Sequence, residues 1–305
     1  MLSPELSARF EESGETFLRA RPFRHAVIDN FLDAQFCQRL IDEFPVFDSR
    51  KALNEAGALG RKAVNPDLKS LGPAYREFDA LMRDGAFLKR VGEVTGVPEL
   101  LYDAYYVGGG THENLDGQEL DVHVDFNYHP KTFQHRRLNL IVFLNREWDE
   151  AWGGSLELCS DPWKLAGEDT VRVLPVANRA VLFETTEHSW HGFSRITLPA
   201  ERKDLSRRSI AVYFYTKERP PEETAESHGT VYIPRPLPAY VQTGHVLSEN
   251  DVQELVELTQ RRDDQIRFLY QRELRFTKLI AGLTRSASFR IGRGVTWPLR
   301  VLRKS

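Results

Sequence analysis

The sequence predicts an α+β protein with a mainly β core, arranged as a sandwich or jelly roll, with helices before it and one long helix after it. Three observations predict this class. Between about residues 100 and 216, short runs rich in Val, Ile, Leu, Tyr and Phe recur, separated by Gly, Pro and Asn. Before residue 100, apolar residues return at helical spacing. Beyond residue 220, a Pro-rich stretch gives way to a long run of helical periodicity.

Each element has its own justification. In "DAQFCQRLIDEF" (33–44), Asp33 stands as an N-cap ahead of Phe36, Leu40, Ile41 and Phe44. "GPAYREFDALMRDG" (72–85) and "AFLKRVGEVTG" (86–96) give two more short helices, each closed by glycine. Strands are expected at 100–107, 119–126, 137–145, 155–160, 170–176, 178–184, 189–196 and 208–216. Between the first two lies "GGGTHENLDGQ" (108–118), a polar glycine-rich loop that reads either as a mobile lid or as a solvated connection. Ser248 and Asp251 are spaced to cap the long helix, which runs to about residue 283. Val252, Leu255, Ile266, Leu269, Phe276, Ile280 and Leu283 fall near a heptad that Arg262 and Glu273 interrupt. A coiled-coil homodimer and packing back on the core are both open, the second preferred. The expected division is therefore 1–220 (helical to about 99, β core about 100–216) and 221–305 (Pro-rich linker, long helix and basic tail).

With 41% apolar and 11% aromatic residues among 305, a sizeable core is available. The formal charge of −3 hides an uneven distribution: Arg285–Ser305 holds six basic residues and no acidic one. Phe289, Ile291, Trp297 and Leu299 lie between those charges, so this tail reads either as a peripheral contact with an anionic membrane face or as a solvated end. Nothing supports sequence-specific nucleic-acid binding. Two cysteines, Cys37 and Cys159, make no disulfide framework. The N-terminus has no apolar signal segment, and no run approaches the roughly 18 apolar residues of a membrane span. The expectation is a cytoplasmic protein, in part peripheral to the inner membrane face.

The chemistry begins at "LDVHVDFNYHP" (120–130). In a strand of period two, His123 and Asp125 share a face inside an otherwise apolar run. Burying both costs several kcal/mol unless something binds them, and a metal ion would replace their lost hydration. The third ligand is sought in "FETTEHSWHGFSRI", where His188 and His191 compete. His191 is preferred: it opens a strand-like run, and Gly192 after it permits close backbone approach. Two histidines and a carboxylate suit non-haem iron(II) and leave open positions, although zinc remains compatible with the ligand types. In "SRRSIAVYFYT", Arg207, Ser209, Ala211 and Tyr213 share one face while Arg208, Ile210, Val212 and Phe214 share the other. An Arg-x-Ser pair on the small, polar face offers a fork and a hydroxyl shaped for a carboxylate.

On these pieces, in the order "HVD", "RRLNLIVFLNREWDEAWGGSLEL", "SWHGFSRI" and "RRSIAVYFYT", the chain resembles the iron(II)/2-oxoglutarate-dependent oxygenases of the prolyl-hydroxylase-like branch, over roughly residues 100–216. The resemblance implies a double-stranded β-helix (jelly roll) and makes His123, Asp125 and His191 the iron ligands. It assigns Arg207, assisted by Ser209, to the distal carboxylate of 2-oxoglutarate, and puts Tyr106 and Asn139 among the residues lining the cosubstrate pocket. At Phe143 relatives can carry a tyrosine that helps hold 2-oxoglutarate. Because Asp125 is retained, hydroxylation rather than chlorination is implied, with O2 consumed and succinate and CO2 released. The substrate is open between a small molecule, a glycan and a peptide or protein residue. His129 and His135 are candidates for substrate contact or for exposed loop positions. The rivals are a non-catalytic jelly-roll module whose C-terminal helix serves assembly, and a zinc hydrolase or isomerase, which has no need of the Arg-x-Ser pair.

Overall fold

The computed structural model describes residues 1–4, 6–48, 62–163 and 169–296. They divide into two compact units, Met1–Pro236 and Leu237–Ser305.

In the first unit, two antiparallel sheets face each other. The larger has the order β1 (His25–Ile28), β9 (Ala180–Glu184), β6 (His135–Phe143), β11 (Arg207–Thr216), β4 (Gly110–Asn114), β2 (Lys62–Asn65), with the short β3 (Leu101–Tyr102) also on β11. The smaller runs β12 (Val231–Ile233), β5 (Leu120–Val124), β10 (Trp190–Phe193), β7 (Leu156–Cys159), β8 (Val171–Val173). Alternation along the central strands explains the layering. Leu138, Leu140 and Val142 of β6 and Ile210, Val212 and Phe214 of β11 face a core shared with helices α1 (Leu6–Arg19), α2 (Ala34–Asp42), α3 (Pro73–Met82) and α4 (Gly85–Thr95). Phe143, Val181 and Phe183 point the other way and meet Leu156, Leu158 and Val173 of the smaller sheet. The apolar face expected on β11 is thus roofed by helices, and its polar face lines the space between the sheets.

The helix signals hold with one exception: Gly85, expected to close the helix over 72–85, instead opens α4 behind the Asp84 cap, and α3 ends at Arg83 without a glycine. Asp33 accepts from the Gln35 and Phe36 amides, and Gly96 ends α4 in the left-handed region at φ 70°. Three departures matter. The N-terminal hundred residues contain strands β1 and β2 as well as helices. The polar loop expected at 108–118 is half strand: Gly110–Asn114 is β4, paired with both β2 and β11. Its one buried acid is satisfied from β11 and the residue before it, Glu113 accepting from Ser206 Oγ at 2.6 Å and Arg208 Nε at 3.0 Å. Finally, the stretch read as a linker from 221 adds β12 to the smaller sheet beside β5, so the first unit extends to Pro236.

The second unit holds α5 (Glu249–Arg285), opened by the expected reciprocal cap of Ser248 and Asp251, and α6 (Ala287–Val295). Trp297, Leu299, Arg300, Arg303 and Lys304 of the basic tail lie outside the described residues.

Candidate active site

β5 and β10 lie side by side with His123 directly opposite His191. Close approach is possible because residue 192 is glycine: a Cβ there would meet the Leu120 carbonyl oxygen at 2.6 Å. The imidazole rings are 4.3 Å apart between centroids. Each Nδ1 sits 2.9 Å from a backbone carbonyl, Asp121 O and Ser189 O respectively. A carbonyl only accepts, so Nδ1 carries the proton and Nε2 carries the lone pair a metal needs. Asp125 follows the end of β5 with its oxygens 3.8 Å from His123 Nε2 and 3.5 Å from His191 Nε2. One ligand atom from each of the three side chains falls within 4.8 Å of the others, and among the described residues this is the one such group. His188 stays in the exposed turn before β10, its amide on Thr186 Oγ1.

A second layer fixes Asp125. Asn139 Nδ2 donates to Oδ2 at 2.7 Å, and the Arg136 guanidinium lies 3.0 Å from the same oxygen, off hydrogen-bond geometry and so acting through charge. Arg136 Nε in turn donates to Asn139 Oδ1 at 2.9 Å. The guanidinium is fully buried and stacked between Tyr213, 3.5 Å from the ring centroid, and Phe126, 4.6 Å away. Burial alone would raise the Asp125 carboxyl; Arg136, the two imidazoles and Asn139 outweigh it and hold the group well below the usual carboxylate range. With Oδ2 committed in this way, Oδ1 is the oxygen presented to a metal.

Farther along the same interior, Arg207 covers Phe193, two residues beyond His191 on β10, at 4.3 Å. It is 4% exposed, donates Nε to the Gly154 carbonyl at 2.6 Å, and has no carboxylate partner among the described residues. Burial pushes its pKa down to about 9. A guanidinium buried without a carboxylate partner is costly to hold, and a bound anion would offset that cost. Gly154 adopts φ +71°, and a Cβ there would crowd Trp148, Ile196 and the Arg207 side chain, which accounts for the "WGG" turn. Ser209 is buried on the same face of β11, opposite Phe143.

Residues 109–215 match the family model for the 2OG-Fe(II) oxygenase superfamily. This part of the chain belongs to that superfamily. The chain is also 27% identical over 205 residues to the prolyl 3-hydroxylase OGFOD1 of Mus musculus, covering 66% of this chain and 34% of that one, so it spans about a third of the relative's length. Among solved structures it is similar to a Pseudomonas putida prolyl-4-hydroxylase (16% identity, TM-score 0.45, 68% of this chain and 98% of the other). A prolyl 4-hydroxylase from Phytophthora capsici is similar too (16%, TM-score 0.47, 84% and 74%). The cofactor and cosubstrate of the superfamily are iron(II) and 2-oxoglutarate. The donor set of the oxygenase domain fits both: a convergent His-Asp-His trio for the metal, and a buried cation lacking a counter-ion for a carboxylate.

The expected residues are thus placed unevenly. His123, Asp125 and His191 come together, and Asn139 joins them through Asp125 and Arg136. Tyr106 turns its hydroxyl to Asp79 of α3 at 3.2 Å, and its ring meets Tyr102 edge-on. His129 is neither exposed nor directed at the metal trio. Its Nδ1 accepts from the Lys131 and Thr132 amides and its Nε2 lies 3.3 Å from Asp103, tying two loops together. His135 packs on Tyr128. Two participants escaped the sequence reading. Arg136 could have been flagged as a charge inside an apolar strand. Tyr232 of β12 lies opposite His123, ring centroids 5.0 Å apart, and its signal was the alternating "TVYI" run, masked by flanking prolines.

Proposed function

We propose that this oxygenase hydroxylates an unactivated C–H bond of its substrate, and that a prolyl residue of a peptide or protein is the first class to test, ahead of glycans and small molecules. The observation that carries the reaction is the uncompensated Arg207 on the interior surface that also holds the His-Asp-His trio. The prolyl preference is supported by the curated mouse relative, whose name states prolyl 3-hydroxylation. Iron bound at the trio would supply the oxidising chemistry, coupling insertion of one oxygen atom of O2 into the substrate to conversion of 2-oxoglutarate into succinate and CO2.

The chain's own groups do the rest by position. The Asp121 and Ser189 carbonyls hold the imidazoles in one tautomer, and Asn139 and Arg136 hold the carboxylate to one free oxygen. Arg207 takes the far carboxylate of the cosubstrate in charge-assisted hydrogen bonds. Phe143, Phe183 and Phe193 wall this space and keep it dry, which strengthens each of those contacts.

The test needs no substrate at first. Metal-free protein is titrated anaerobically with iron(II) and 2-oxoglutarate while the weak visible charge-transfer band of chelated cosubstrate is followed. Wild type shows the band, and Asp125→Ala and Arg207→Ala weaken it; absence of the band in wild type overturns the reading. Succinate release with proline-containing peptides, glycans and small molecules then ranks the substrate classes.

A further inference from the structure

We propose that the distal half of α5, together with α6, is a surface that lies on an anionic lipid bilayer. The inference is independent of the oxygenase chemistry. After Glu273 the chain carries eight basic residues and no acidic one. On a helix of 3.6 residues per turn, Arg267, Arg275, Lys278 and Arg285 fall on one side. Ile266, Leu269, Phe276, Ile280 and Leu283 fall on the opposite side, with Glu273 the one acid among them. Those five apolar side chains are all exposed, Ile280 at 61% and Leu283 at 65%. A basic face set against a broad apolar face on a long helix is the composition that settles in a membrane interface.

α6 extends the same character. Ser286 separates the helices and caps the second, its Oγ accepting from the Phe289 amide at 3.2 Å. Ile291 and Val295 are exposed apolar residues of α6, and Arg290 and Arg293 supply its charge. No described helix is long and apolar enough to cross a bilayer, so the contact is interfacial.

Charge decides between occupants of this face. A second copy pairing this segment with itself would bring the same excess of positive charge against it, with Glu273 the one acid in that stretch. The acidic first half of α5 (Glu249, Asp251, Glu254, Glu257, Asp263 and Asp264), which an antiparallel copy would bring, offers no counterpart in sequence to α6 and the tail. A nucleic acid would match the charge and leave the apolar side chains in water. An anionic bilayer answers both faces, headgroups pairing with the basic residues and acyl chains receiving the apolar ones.

Full-length protein is tested by co-sedimentation with phosphatidylcholine vesicles and with vesicles of phosphatidylcholine and phosphatidylglycerol, at low and high salt. Two variants run alongside: Lys278→Gln/Arg285→Gln/Arg290→Gln, which removes charge while keeping good helix formers, and Ile280→Asp/Leu283→Asp, which spoils the apolar face. Circular dichroism and the iron–2-oxoglutarate band of each variant confirm that helix and core are intact. Expected are preferential, salt-sensitive binding to the phosphatidylglycerol vesicles, a loss on the order of 100-fold for the triple variant, and loss of binding for the aspartate variant. Equal binding to both vesicle types, no binding to either, or indifference to both variants overturns the proposal. So does a wild-type dimer by light scattering that the aspartate variant converts to monomer, or a preference for single-stranded RNA over the anionic vesicles.

Discussion

Replacing Arg207 by methionine should leave the ligand-free protein at least as stable as wild type while removing its response to 2-oxoglutarate. In the folded protein the guanidinium has one hydrogen bond, to Gly154, stacks on Phe193 and Phe143, and lacks a carboxylate among the described residues. Burial moves its pKa from 12.5 to about 9, which corresponds to an opposing cost on the order of 5 kcal/mol. Methionine fills similar space without that cost. It gives up a charge-assisted hydrogen bond of about 1.5–3 kcal/mol and ring contacts of about 0.5–2 kcal/mol. The balance runs from close to zero to stabilising by about 3 kcal/mol. Cosubstrate binding has no such compensation: loss of a desolvated guanidinium–carboxylate pair costs about 2–5 kcal/mol, or roughly 30-fold or more in affinity. The assay is thermal unfolding with iron replaced by manganese(II), with and without 2-oxoglutarate. Saturating cosubstrate at 100 times its Kd raises wild-type stability by about 2.7 kcal/mol, and the variant shows no such rise. If the ligand-free variant is destabilised by several kcal/mol, Arg207 is a satisfied structural group and its assignment as an anion receptor is refuted. Retention of the 2-oxoglutarate response refutes it equally.

Three further outcomes follow from the same geometry. Asp125→Asn removes the charge opposite Arg136, so the metal-free protein should lose about 3–5 kcal/mol at neutral pH in urea unfolding. Because the folded carboxyl is held below its ordinary 3.8, its contribution is whole above about pH 4 and is lost as the pH falls below that, so the gap between variant and wild type narrows toward pH 2; a gap that widens on acidification contradicts the assignment. Asn139→Leu frees Oδ2 of Asp125 and should weaken cobalt(II) binding by about 10- to 100-fold, read from the visible spectrum of the cobalt protein. Gly192→Ala presses a methyl group into the Leu120 carbonyl and should force β10 from β5, lowering both the unfolding midpoint and metal affinity, whereas loss of stability with unchanged cobalt(II) affinity would show that the His123–His191 pairing does not depend on that contact.

What could be read in the chain, and what could not, follows from where the information lies. His123, Asp125 and His191 were legible because charged residues inside apolar β runs violate the usual pattern at short range. The faces of β11 were legible for the same reason, as was the Asp33 cap, whose partners are two and three residues away. β4 was not, because "GTHEN" has the composition of a loop and becomes a strand only through partners at 62–65 and 207–211. Arg136 and Asn139 were visible as residues but not as a clamp on Asp125, since the carboxylate is 11 and 14 positions away in sequence and the contact depends on how β6 crosses beneath the end of β5. Tyr106 shows the converse: position in a motif placed it near a pocket, and the long-range contact with Asp79 on α3 decides where its hydroxyl goes.

β12 has one more consequence. It supplies backbone partners for β5 through Val231–Val124, Tyr232–His123 and Ile233–Val122, and Arg235 staples it down with a 2.7 Å contact to Glu157. A chain cut after Thr216 would keep every proposed iron ligand and Arg207, yet it would turn the strand bearing His123 into a raw margin of the sheet. Such a margin invites pairing with another molecule. Shortening this protein to the stretch that carries its signature would therefore yield a sticky polypeptide rather than a minimal enzyme.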